Sequence, residues 1–236
     1  MAHEIAARLA PTGTLRAAIN LGNILLVTGR SEDGSPSMAA AIAERLGIGV
    51  ELIPYATPGE VADALVRDEW DVGLIAADPK RAETIAFAPA YVEIAATYLV
   101  PAGSPIAEIA EVDRPGVRIA VSSRSAYDLY LSRTLEHAKL CRAEGLQGAY
   151  DLFVGTGLDA LAGLRPALID NAAGLPGARV LDGHFSTVQQ AIGTRPGDAE
   201  ALVFLTAFVA EARQSGLIQR LIDLHGVTGR LQVAAS

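Results

Sequence analysis

Asp78, Lys80 and Arg81 place three charged side chains within four positions, directly behind the apolar run Val72–Ala76. Arginine offers a planar fork of N–H donors that fits a carboxylate with two parallel hydrogen bonds. Arg81 is therefore a candidate anion clamp, or else a surface arginine paired with Asp78 or Glu83. A second candidate is Ser122-Ser123-Arg124-Ser125, just ahead of a helical pattern. Helix starts present unpaired N–H groups and partial positive charge, and serine hydroxyls add donors. Plain capping by Ser123 or Ser125 uses the same residues. Asn20 and Asn23 can each donate and accept, so they suit a hydroxyl, amide or carbonyl, or simply a turn around Gly22. Tyr91 and Glu93 lie on one extended run, and Gln189 and Gln190 on another. Alternation along a strand lets only one glutamine face a ligand. Glu93 is the candidate for a cationic or hydroxyl group.

Strands and helices alternate along the chain, which predicts an α/β architecture. Strands are expected at 15–21, 50–55, 72–76, 118–121, 139–142, 159–164 and 179–181. Helices are expected from Ser35, as N-cap before Pro36, to Leu46, from the Thr57-Pro58-Gly59-Glu60 capping box, over 125–138, over 148–154, and over 198–214. The last breaks at Gly216 and resumes to Leu224. The loop Gly29–Ser35 is polar, and the residues before Pro11 have helical character. Two extended runs, 91–100 and 187–194, flank a self-contained central unit. They predict two lobes, 1–96 plus 190–236 and 97–189, joined by linker strands near 94–101 and 184–191.

Half of the 236 residues are hydrophobic and 19% are charged, enough apolar material for packed cores. The formal charge of −8, with no basic stripe, excludes nucleic acid as the expected partner. No apolar run reaches membrane-spanning length, so no membrane insertion is expected. Cys141 is the single cysteine and reads as a small buried hydrophobe. His3, His137, His184 and His225 lack metal-ligand spacing. No metal, cofactor or catalytic residue is assigned. The N-terminus lacks a basic segment followed by an apolar core, which points to the cytoplasm, or to the periplasm if a signal has been removed.

The stretch 72–91, VGLIAADPKRAETIAFAPAY, resembles the ligand-binding segment of the type II solute-binding proteins, the amino-acid-binding subunits of ABC importers. The resemblance extends over most of the chain, including the helix–Gly–helix ending. It implies a two-lobed fold with two linker strands, in which Arg81 clamps a ligand carboxylate and the turn Ser122–Ser125 of the other lobe receives the acidic end. It implies a small-molecule, anionic ligand, an ABC permease as partner, a monomer and no cofactor. Two departures stand out. Ala76-Ala77-Asp78 replaces the usual hydroxyl donors, and Leu164-Arg165 stands where an ammonium-binding acid is expected, so weak binding of standard α-amino acids is implied. The alternatives are an enzyme on the same fold, similar to the cyclohexadienyl dehydratases with Glu93 or Asp78 as acid, and a small-molecule sensor domain.

Overall fold

The computed structural model describes residues 2–23, 25–26 and 37–235. They form two compact units. The first comprises Met1–Glu93 and Gln189–Ser236, the second Ile94–Val188. The expected N-cap at Ser35, the Pro36 start and the loop Gly29–Ser35 lie outside the described residues.

In the first unit, α1 (Ala2–Leu9) leads into β1 (Thr14–Asn20), α2 (Ser37–Leu46), β2 (Gly49–Tyr55), α3 (Pro58–Val66) and β3 (Val72–Ala76). β1 pairs in parallel with β2, from Thr14↔Gly49 to Asn20↔Tyr55, and with β3, from Ala17↔Val72 to Ile19↔Leu74. Parallel neighbours need a crossover, which α2 and α3 supply. α3 starts where the sequence places it. The Thr57 side chain accepts from the Glu60 amide at 3.2 Å, and Glu60 reaches back to the Ala56 amide at 2.9 Å. Both bonds satisfy N–H groups that a helix start would otherwise leave bare.

The short strand β4 (Ala86–Phe87) follows, and then β5 (Val92–Val100). Much later the chain returns through β10 (Ser186–Thr194), antiparallel to β3 with Gln190↔Ala76 and Gly193↔Gly73 in register. Both glycines of that pair are there for space. A Cβ on Gly73 would sit 2.9 Å from the Trp70 ring, and one on Gly193 2.6 Å from Ile85 Cγ2. Trp70 is fully buried with Ala18, Val61, Leu65, Ile75 and Ile85, and its indole N–H donates to the Val61 carbonyl at 2.8 Å. At the opposite end of these strands Asp71, 2% exposed, takes a bidentate grip from Arg16 at 2.7 and 3.1 Å and a further bond from Arg195 at 3.2 Å. A carboxylate so buried is tolerable only when paired in this way. The unit is completed by α7 (Ala199–Gln214), α8 (Leu217–Leu224) and β11 (Gln232–Val233), with Gly216 at φ 70° making the break between the helices.

The second unit holds β6 (Arg118–Ser122), α4 (Ala126–Thr134), β7 (Lys139–Ala143), α5 (Gly145–Thr156), β8 (Ala160–Leu164), α6 (Arg165–Ala173) and β9 (Arg179–Val180). Its strands run β5-β8-β6-β7, with β9 on β5. Leu99, Ala120, Phe153, Leu158, Leu161 and Leu168 form its core. β5 and β10 are the strands within which the chain passes from one unit to the other.

Three expected boundaries need correction. α4 stops at Thr134 and not at Ala138, because Asp113 takes the amides of Glu136, His137 and Ala138 at 2.8–2.9 Å and ends the helix there. α5 starts at Gly145, three residues before the expected Gly148. α6 was not expected: Arg165-Pro166 opens a helix, proline being well suited to a first turn.

Candidate functional site

The first unit brings together the strand-end residues. β3 ends at Ala76, and the next amide, Ala77, donates to the Gln189 carbonyl at 2.8 Å. Asp78 then folds the chain back. Its Oδ1 accepts from the Lys80 amide at 2.8 Å and its carbonyl accepts from the Ala82 amide at 2.9 Å, which starts a short 3₁₀ turn over Arg81–Glu83. The turn directs Arg81 inward. Arg81 is 5% exposed and its Nη1 donates to the Ala76 carbonyl at 2.7 Å. Arg81 is therefore not a surface residue, and Glu83 pairs with Lys80 at 2.7 Å. Asp78 is buried as well. On the neighbouring strands Gln189 Nε2 donates to Glu93 Oε2 at 2.9 Å, while Gln190 is buried opposite Ala76. Asp78 and Arg81 thus follow the carboxyl end of β3, next to the amino-terminal half of β10 with Gln189, which holds Glu93 of β5.

Asn20, Asn23 and Tyr91 lie elsewhere in the unit. Asn20 Oδ1 accepts from the Gly22 amide at 3.1 Å and Asn23 Oδ1 from the Leu25 amide at 3.3 Å, the local bonding of turn residues. All three line a mostly apolar pocket to which neither Arg81 nor Asp78 contributes.

In the second unit the turn between β6 and α4 holds Ser122, Ser123, Arg124 and Ser125. Ser125 is the N-cap, its hydroxyl accepting from the Asp128 amide at 3.1 Å. Three amides of the turn have internal acceptors: Ser123 N–H on the Ala143 carbonyl (2.8 Å), Arg124 N–H on Asp128 Oδ2 (2.8 Å) and Ser125 N–H on the Ser122 carbonyl (3.2 Å). Arg124 is exposed and left-handed at φ 58°, an uncommon conformation for a side chain other than glycine. Asp128 holds it there and is itself neutralised by Arg142 Nε at 2.9 Å, with Arg142 Nη2 donating to Ser132 Oγ at 2.7 Å. Sequence reasoning missed Asp128 and Arg142. The signal was present, since Ser125-x-x-Asp128 is a capping-box spacing. Beside this turn burial pushes the Tyr127 hydroxyl up to about 12, against a smaller opposite pull from hydrogen bonds with Ser125 and Ser122.

Arg165, expected near a ligand's amine, donates to the carbonyls of Leu181 (2.7 Å) and Gly183 within the second unit. No group of three His, Cys, Asp or Glu side chains able to hold a metal occurs among the described residues. No single helix there is long and apolar enough to cross a membrane.

The sequence profile of the bacterial extracellular solute-binding proteins, family 3, matches residues 28–226. The chain belongs to this family. Solved structures agree with the fold. A solute receptor for L-cysteine of Neisseria gonorrhoeae superposes with a TM-score of 0.76 at 19% identity, covering 94% of this chain and 92% of that one. An amino acid ABC transporter substrate-binding protein from Streptococcus pneumoniae, bound to L-arginine, gives 0.75 at 18% identity over 99% of both chains. An ancestral amino acid-binding protein, a precursor of cyclohexadienyl dehydratase, gives 0.73 at 22% identity over 91% of this chain and 96% of that one. No curated protein sequence matches the chain. This family 3 solute-binding protein therefore has the two-lobed α/β fold of the periplasmic binding proteins.

Proposed function

We propose that this family 3 protein binds a small carboxylate-bearing solute and delivers it to an ABC permease. The observation that carries the reading is Arg81. A guanidinium 5% exposed at the carboxyl end of a buried strand, with Nη1 fixed on the Ala76 carbonyl, is preorganised. Open α/β sheets bind their ligands at the carboxyl ends of strands. A fixed fork loses less freedom on pairing with a carboxylate than a mobile lysine does. Asp78, Glu93 and Gln189 near the same end of β3 supply acceptors and an amide for the remaining ligand groups. In the second lobe Ser123 and Arg124 offer their side chains, whereas the hydroxyl of Ser125 serves the helix start.

Binding proceeds by closure of the two lobes on the ligand, with β5 and β10 as hinges and no chemical turnover. A few residues in such strands absorb the dihedral change while each lobe stays rigid. The protein acts as a monomer. The extracellular character in the family's description favours a place outside the cytoplasmic membrane. Small-angle scattering with and without a bound carboxylate tests the mechanism. Compaction, with the ligand recovered unchanged, is expected. An unchanged scattering curve at saturation, or product that accumulates with protein and disappears in Glu93→Gln or Asp78→Asn, contradicts it.

A further inference from the structure

The pocket beside Asn20 is a built cavity. Every residue lining it belongs to the first unit, and its volume is about 60 Å³. Ile19, Leu74 and Met38 line it together with Ile218, Leu221 and Ile222 of α8, and among the described residues no Asp, Glu, Lys or Arg does. Four polar side chains line it, Asn20, Asn23, Tyr91 and His225, and of these Tyr91 and Asn23 are buried. Tyr91 is 4% exposed and Asn23 6%. Asn23 spends its oxygen on the Leu25 amide at 3.3 Å, which leaves its Nδ2 hydrogens. Among the described residues neither Asn23 Nδ2 nor the Tyr91 hydroxyl has a hydrogen-bond partner. Burial alone drives the Tyr91 hydroxyl upward in pKa, with no bond to offset it. The fully enclosed side-chain nitrogen or oxygen left without a partner among the described residues is Nε of Arg213, so the Tyr91 and Asn23 groups each keep an opening. Both residues line this pocket.

A donor without an acceptor in an apolar setting is costly, and two such residues lining one pocket suit an occupant that accepts from both. Water fits poorly. The walls are mostly apolar, and such a cavity takes an apolar body in preference to ordered waters, each of which needs two to four polar partners. Among the described residues no carboxylate, lysine or arginine lines the pocket, which argues against an ion, since a charge would be desolvated with little compensation.

We propose that this pocket is a binding site, separate from Arg81, for a small uncharged molecule with a short aliphatic body and one hydrogen-bond acceptor, such as a short ketone. The acceptor takes the Tyr91 O–H and an Asn23 N–H, and the aliphatic body packs against α8.

Butan-2-one is the probe, with 2-methylbut-1-ene as its counterpart of the same shape lacking the oxygen. Methyl-resolved NMR of the full chain should show saturable shifts at Met38, Leu221 and Ile222 with the ketone. Tyr91→Phe should weaken the ketone roughly fivefold or more, the loss of one hydrogen bond, and leave the alkene unchanged or tighter. This variant removes only an unpaired hydroxyl and should fold. Leu221→Phe, which fills the cavity, should abolish binding of both probes. An absence of saturable shifts, ketone affinity unchanged in Tyr91→Phe, or binding that survives Leu221→Phe would each overturn the proposal.

Discussion

At the scale of single residues, burial decides which side chains can do chemistry. Lys80 and Arg81 are adjacent cations, yet Lys80 is solvated beside Glu83 while Arg81 is 5% exposed. Of the two, Lys80 has little to offer an anion, because a water-exposed pair is worth little. Tyr127 gives a prediction in pH. Burial raises its hydroxyl from 10.0 to about 12. The folded state then holds the proton that the unfolded chain releases, so stability is complete below pH 10 and falls between about 10 and 12, by at most roughly 2–3 kcal/mol. Urea denaturation across that range should show the fall, and Tyr127→Phe should flatten it. An equal fall in the variant would place the cause elsewhere. Arg81 and the Ser125 cap were legible as residue types, because a guanidinium behind an apolar strand and a serine ahead of a helical pattern are local signals. Asp128 was missed, since its carboxylate bonds the Arg124 amide and Arg142 from the next strand, a pairing that spacing alone does not show.

At the scale of elements, helix ends and tight strand crossings are the sensitive points. Asp113 closes α4 by accepting three amides. Burial would raise its pKa, but those bonds outweigh it and hold the carboxyl below its usual range. Its contribution is thus present above the unfolded pKa and lost as pH falls through the lower folded value. Asp113→Ala should cost about 1–2 kcal/mol, as helix-end caps do, and speed hydrogen exchange at Glu136–Ala138. Unchanged exchange there would contradict the assignment. At the sheet, Gly193→Ala should cost about 1–3 kcal/mol through overpacking against Ile85, read as a lower urea midpoint. A variant as stable as the parent would show that Ile85 yields. Most strands were legible because apolar runs bounded by Gly, Pro and Asp have few other uses. The true end of α4 and the existence of α6 were not, because a distant aspartate sets the first and the second hides behind Pro166.

At the scale of the whole molecule, the order of elements carried more than any single motif. Alternating strands and helices with a helix–Gly–helix ending pointed to a family fold that the profile match over residues 28–226 bears out. The candidate site was less legible. Asn20, Asn23 and Tyr91 read as ligand-facing by their place in the chain, and they line a pocket to which Arg81 does not contribute. The central claim is that Arg81 selects a carboxylate that is not a standard α-amino acid, since no acid stands at Leu164-Arg165 to hold the ammonium. Calorimetric titration of the parent and Arg81→Ala with a panel of small carboxylates, their neutral amides and the twenty amino acids tests it most directly. Saturable binding by at least one carboxylate outside the amino acids is expected, with no binding by its amide and a loss of roughly 2–5 kcal/mol in Arg81→Ala. Equal affinity for the amide, unchanged affinity in the variant, or tight binding of a standard amino acid would contradict it.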